Sequence, residues 1–246
     1  MSGHSKWANI KHRKGKADAV RGAATTKISR EITTAVRIGG AEASGNMRLK
    51  LALQKARENN IPKDNILRAI QKGQGTLEGS NYEEITYEGY GIAGVALLIE
   101  TMTDNRNRTA AEIRHLFSKY GGNMGESGCV SWMFRKKGLV IINTSSTIDE
   151  DRLMTILLDA GADDMVSDGD QFVISCAPDD FESLLNALES ASIKLESAEI
   201  SMVPETTISL DRQDAVRLMK LVDALEEQDD VQAVYGNFEI PEEETD

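Results

Sequence analysis

Residues 138–176 read GLVIINTSSTIDEDRLMTILLDAGADDMVSDGDQFVISC. Leu139–Asn143 is a short run of branched apolar residues, which predicts a buried strand. Asp149–Ala160 switches to helical spacing. Asp164–Ser167 and Phe172–Cys176 predict a strand pair around the turn SDGDQ. Downstream, Asp179–Ala191 reads as a helix and Ala198–Val203 as a strand. The order strand, helix, strand, strand, helix, strand is that of a ferredoxin-like split unit.

The sequence on either side is of another kind. Before residue 75 the spacing predicts helices over Lys16–Ile38, Met47–Arg57 and about Lys63–Lys72, with Pro62 placed to start the third. In the first, Ala24, Ile28, Ile32 and Ala35 share one face, while Lys27, Arg30, Thr34 and Arg37 share another. GQGTLEGSN, residues 73–81, reads as a linker. Glu84–Tyr90 and Val95–Met102 predict a hairpin around GIAG, followed by a helix over Asn107–Tyr120 and a strand over Val130–Phe134. After the split unit come a helix, Arg212–Glu227, and a strand, Ala233–Ile240. These two have no partner of their own, so they complete the unit begun at Glu84. The reading is an α+β chain of three domains. A three-helix domain spans 1–77, a discontinuous α+β domain spans 78–135 plus 205–246, and the βαββαβ domain, 136–204, is inserted into it.

Charge is segregated along the chain. The formal total is -12. Yet Met1–Gly75 holds sixteen Lys and Arg against five Asp and Glu, and Val140–Asp246 holds five against twenty-seven. Such asymmetry points to polyanion binding at the basic end. The acidic part reads as a solvated surface, with room for a protein partner. Two cysteines 47 residues apart make no disulfide framework and imply a reducing cytoplasm. No apolar run reaches the length of a membrane span, and no apolar region follows the N-terminal charges as a secretory signal requires.

Catalytic signals are thin. His4, His12 and His115 are scattered, and there is no paired Cys-x-x-Cys or His-Glu-x-x-His. The glycine clusters lack phosphate-loop spacing and read as turns. The expectation is no enzyme, no metal and no cofactor. Two stretches carry binding chemistry instead. The basic arm Lys6, Trp7, Lys11, His12, Arg13, Lys14 and Lys16, with Arg21, Lys27, Arg30 and Arg37, can neutralise a row of phosphates without reading sequence. In TMTDNRNRTAAEIRHLF, residues 101–117, Asp104 or Asn107 can cap the helix, Arg106 and Arg108 flank its positive end, and Asn105, Arg106 and Arg108 are a second candidate contact. There the arginines either hold a phosphate or pair with Glu100, Glu112 or acids of the inserted domain. No helix-turn-helix pair with base-reading Gln or Asn stands out.

The stretches GHSKWANIKHRKGKADAVRG (3–22), NIPKDNILRAIQKGQG (60–75) and YEGYGIAGVALLIETMTDNRNRTAAEIRHLFSKYGGNMGESGCVSWMF (87–134), with KKGLV (136–140), resemble the YebC/PmpR family of bacterial regulators. The chain is similar as well to mitochondrial translational activators of cytochrome oxidase. The resemblance implies three domains, no catalytic residues, and DNA binding in transcriptional regulation. The alternative it leaves open is a translation factor on ribosomal RNA. It places Lys6 to Lys16 in one family signature and Asp104, Asn105, Arg106, Asn107 and Arg108 in a second.

Overall fold

Helix α1 (Arg21–Gly39) is the first element of the described chain, which covers residues 21–78, 81–144, 150–168 and 170–240 of a computed structural model. Gly40 ends it in the left-handed conformation, φ 83°, where its N–H reaches back to Val36 O at 2.8 Å. Asn46 then does two jobs. Its Oδ1 accepts from Leu49 N at 3.0 Å, which caps helix α2 (Met47–Glu58). Its Nδ2 donates to Ala35 O and Gly40 O, both at 2.8 Å, which ties the end of α1 to the start of α2. Helix α3 (Lys63–Gly73) follows Pro62. Ile32, Ala35, Val36, Leu49, Ala52, Ala56, Ile61 and Ala69 form the core of the three helices. Small residues dominate it, so the helices approach closely; Thr33 Oγ1 reaches Ala69 O at 3.1 Å.

Strands β1 (Glu83–Tyr90) and β2 (Ala96–Thr103) form an antiparallel hairpin, closed by Gly91 N to Val95 O at 2.7 Å. Helix α4 (Arg106–Lys119) and the short β3 (Asn123–Met124) follow. Helix α7 (Arg212–Glu226) and β9 (Val231–Gly236), from the far end of the chain, complete this layer. The sheet order is β3-β1-β2-β9, so β2, ALLIETMT, is interior and almost wholly buried. Its Leu97 and Ile99 pack with Ile113 and Phe117 of α4 and Leu218, Leu221 and Leu225 of α7. A two-residue parallel pair, β8 (Ile208–Ser209) with β10 (Phe238–Glu239), lies beside it in sequence.

Among the described residues, contacts form two compact units, Phe134–Glu205 and residues 21–133 with 206–240. The first contains β4 (Phe134–Asn143), α5 (Glu150–Asp159), β5 (Ala162–Asp168), β6 (Gln171–Cys176), α6 (Phe181–Ser190) and β7 (Ser197–Pro204). Its sheet order is β5-β6-β4-β7, all neighbours antiparallel. Each helix therefore joins two strands that flank a third, as in a split βαβ unit. Leu139, Leu153, Leu157, Phe172, Ile174, Phe181, Leu184 and Leu188 are its buried centre.

Three strand boundaries differ from the sequence reading. Ala233–Ile240 is not one strand: β9 ends at Gly236 and β10 holds Phe238–Glu239, and between them Asn237 Oδ1 accepts from Ala96 N at 2.7 Å. Residues 130–133 are not strand, and Phe134 is the first residue of β4. The buried Glu88 carboxylate accepts from the N–H groups of Gly128, Val130 and Ser131, each at 2.7 Å, and Ser131–Met133 makes a single 3-10 turn. Those donors outweigh the desolvation of Glu88 and hold its pKa below the ordinary value. Strand β4 starts earlier than Leu139. Arg135 and Lys136 look unlike strand residues but stand outward, with Arg135 bonded to Glu205 at 2.7 Å, while β7 pairs along the whole segment.

Gly138 sits where β4 passes under α6. A Cβ there would lie 2.4 Å from Phe181 Cδ2 and 2.7 Å from Cys176 Sγ. Gly138→Ala is expected to lower the unfolding free energy of this unit by about 1–3 kcal/mol through overpacking. A urea titration followed by circular dichroism measures it, and an unchanged midpoint refutes the close approach.

Candidate functional site

Helix α1 is covered on two sides. One side is the helical core already described. The other, the side that carries Lys27, Arg30 and Arg37, lies against the layer built from β1, β2 and β9. Arg30 Nη1 donates to Asp230 Oδ1 at 2.6 Å, Asp229 O at 2.7 Å and Met102 O at 3.1 Å, and its guanidinium stands 5.2 Å from the centre of the Tyr82 ring. Lys27 Nζ donates to Glu226 O, and Arg37 donates to Tyr82 O and Asn81 Oδ1. Thr34, between them, is fully buried. On α2, Arg48 joins the same seam through Glu31 and Glu84, each at 2.6 Å. Arg21 opens α1, and its side chain lies outside the described residues, as do Lys6, Trp7, Lys11, His12, Arg13, Lys14 and Lys16.

Asp230 is the centre of this seam. It is 4% exposed. Oδ1 takes the Arg30 bond; Oδ2 accepts from Thr109 Oγ1 at 2.7 Å, Arg108 Nη2 at 2.8 Å and Thr103 Oγ1 at 3.1 Å. Burial alone would raise its pKa, but the bonds from Arg108, Thr109 and Arg30 prevail and hold it at about 2. The group is an anion at any physiological pH.

The second sequence candidate meets this anion. Asn105, not Asp104 or Asn107, caps α4: its Oδ1 accepts from Arg108 N at 3.1 Å, and its own N–H is fixed by Thr103 Oγ1 at 2.9 Å. That bond to Thr103 decides which of the three polar residues can cap. Arg106 and Arg108 do share the first turn of α4, with Asn105 at its cap. Arg108, however, pairs with Asp104 at 3.0 Å and with Asp230 at 2.8 Å. Neither partner is Glu100, Glu112 or an acid of the inserted unit. Arg106 is exposed, and its carbonyl accepts from Tyr87 Oη at 3.2 Å. Asp230 was not legible as a site residue, because its two arginine partners lie 200 and 122 positions away. The only local signal is an acid set directly before a buried strand.

Other cations of the helical unit look outward. Lys50 and Arg57 on α2 and Lys63, Arg68 and Lys72 on α3 are exposed, and among the described residues none of them forms an ion pair or a side-chain hydrogen bond. Among the described residues no cluster of three His, Cys, Asp or Glu could hold a metal, and no helix is long and apolar enough to cross a membrane. Cys129 and Cys176 are free, and burial raises both thiols, Cys176 to about 11.

Two family profiles match the chain. One, described as the TACO1/YebC protein N-terminal domain, covers residues 5–76. The other, described as the TACO1/YebC second and third domain, covers residues 82–238. A protein of Pelotomaculum thermopropionicum is 55% identical over 98% of this chain and 99% of its own, and one of Carboxydothermus hydrogenoformans is 54% identical over the same shares. Both carry the name "Probable transcriptional regulatory protein". The crystal structure of a conserved hypothetical protein from Aquifex aeolicus superposes with a TM-score of 0.85 at 43% identity, over 98% of this chain and 100% of that one.

Asp230→Asn would leave Arg30 and Arg108 facing a neutral group in a buried site. The expected loss is about 3–5 kcal/mol of unfolding free energy near neutral pH. The pH dependence has a definite sign. The folded carboxyl titrates at about 2, below its ordinary 3.8, so its contribution is complete well above the ordinary value and is lost as pH falls through 2. The gap between wild type and variant should narrow over that window in acid denaturation. A gap that is constant with pH would show that the carboxylate charge is not the stabilising element.

Proposed function

The chain belongs to the TACO1/YebC family, and from that premise we propose that it is a regulator that works by binding nucleic acid, with DNA in transcriptional control as the target. The observation that carries this reading is the concentration of cations in the first 75 residues of an acidic chain, several of them outward and, among the described residues, without internal ion pairs. Each phosphate contact releases condensed counterions, so affinity accrues without base recognition. The names of the full-length relatives support the regulatory role.

In this reading the arm residues Lys6, Lys11, Arg13, Lys14 and Lys16 grip the backbone, with Trp7 and His12 among them and Arg21 continuing the row. Asn105 and Arg106 are a lesser contact at the start of α4. The protein acts in the cytoplasm by occupancy and not by turnover. Its domains are 1–77, 78–135 with 205–246, and 136–204. The break between the two family profiles and the compact unit Phe134–Glu205 support that division. The acidic inserted domain is left for a protein partner.

The test is crosslinking in living cells, with sequencing of both DNA and RNA recovered with the protein. The control changes Lys11, Arg13, Lys14 and Lys16 to alanine together. Discrete promoter DNA, lost in the variant, is the expected result. Ribosomal RNA concentrated at one site would replace transcription with translation as the function. Recovery that the four changes leave intact would overturn the role of the arm.

A further inference from the structure

Helices α2 and α3 are joined by four residues, Asn59 to Pro62. Asn60 adopts φ 53°, the left-handed conformation that Gly and Asn tolerate in tight turns, and Ile61 behind it is buried in the core beneath α1. Both helices pack on α1. The inner face of α3 is Ile66, Ala69, Ile70 and Gly73. By helical spacing its outer face carries Asp64, Leu67, Arg68 and Gln71, flanked by Lys63 and Lys72, and all six are exposed. On α2, Arg48 turns toward Glu84 of the sheet. Arg57, nine residues later, stands about half a turn round the helix from it, and Lys50 shares the side of Arg57. Lys50 and Arg57 therefore flank α2 away from the sheet.

Resting on the nucleic-acid reading above, we infer that α3, packed on α1 and following the turn from α2, enters the major groove of B-form duplex DNA. The residue types fit that task. An arginine recognises guanine O6 and N7, a glutamine recognises adenine N6 and N7, an aspartate accepts from cytosine N4, and an apolar side chain meets the thymine methyl. Arg68, Gln71, Asp64 and Leu67 offer these four chemistries on one face. Lys63 and Lys72 border that face, where phosphates run, and Lys50 and Arg57 add outward charge on α2. The cations of α1 are not available in this way, since Lys27, Arg30 and Arg37 bond within the protein.

The form of the helix selects the partner. Eleven residues make a rod about 16 Å long. The major groove of B-form DNA admits such a rod, while that of A-form RNA is too narrow for side chains to read. Residues 47–73 contain no Phe, Tyr or Trp, so this surface has no platform for stacking the bases of a single strand.

The experiment selects sequences from a randomised duplex DNA pool with the full-length protein, then measures binding to the enriched site, to random duplex DNA and to duplex RNA. Arg68→Ala is expected to erase discrimination at one position of the site, a loss of about 5- to 100-fold there. Lys63→Ala and Lys72→Ala are expected to weaken all sequences alike and to reduce the salt slope by about 0.9 each. These side chains are exposed, and thermal melts confirm that each variant is folded. An enriched site unaltered by both Arg68→Ala and Gln71→Ala would overturn the assignment. So would a pool without preference, or duplex RNA bound as tightly as DNA. Binding that survives the α3 changes and vanishes with the four-alanine arm would overturn α3 alone. Absence of binding to DNA and RNA alike would overturn the nucleic-acid reading with it.

Discussion

One buried carboxylate, Asp230, holds three distant stretches of chain together. It bonds Arg30 of α1, Thr103 at the end of β2, and Arg108 and Thr109 of α4. Removing an ion from water is costly, and the cost is offset only when its lone pairs are filled by well-placed donors. Four donors, two of them charged, meet that condition. The result fixes α1 against the sheet layer, and that placement determines what the rest of the helical unit can expose. The backbone supports the same seam: Met102 N donates to Asp230 O at 2.8 Å, so the segment before β9 is held by its main chain as well as its side chain.

The periodicity that marks α1 as a helix was legible, and so was its apolar face. What lay opposite was not. A polar face in a sequence records side-chain type and nothing of what that face meets. Here the partners are Asp230, Glu226 and Tyr82, two of them about 200 residues away, so no local pattern could reveal that the basic side is an internal seam. The same limit hid the start of β4, where Arg135, Lys136 and Lys137 precede the apolar run. Asn105 was hidden differently. Asp104, Asn105 and Asn107 are equivalent as capping residues, and only the position of Thr103 Oγ1 selects among them.

Helix α7 and strand β9 could not stand by themselves, because a lone helix and strand cannot bury their apolar faces. Strand β9 pairs with β2 from Leu97–Gly236 to Thr101–Val231, with a register shift after Glu100. The chain thus leaves this layer at Met133, traverses the split βαβ unit, and returns at Thr206 to finish the sheet. The exit is held by Glu88, whose carboxylate satisfies three N–H groups of a loop that has no ladder of its own. A carboxylate used in this way needs no second charge, and nothing in EEITYEGY separates Glu88 from Glu83 and Glu84 of the same strand.

A formal charge of -12 does not argue against binding a polyanion. At physiological ionic strength an exposed charge acts over about 8 Å, so an approaching phosphate responds to the surface it meets and not to the total. The distinction that matters is between cations whose charge is internally satisfied and cations that stand alone. Arg30, Arg48 and Arg108 belong to the first class, each beside a carboxylate within 3.0 Å. Lys50, Arg57, Lys63, Arg68 and Lys72 belong to the second among the described residues. A phosphate that displaced Asp230 from Arg30 would have to leave a buried anion uncompensated, which opposes the exchange by several kcal/mol. A phosphate that meets Lys63 or Arg68 displaces only water and counterions. The fold therefore sorts its own basic residues: the acid that locks α1 against the sheet removes that helix from competition and leaves α2 and α3 as the cationic surface of the helical unit.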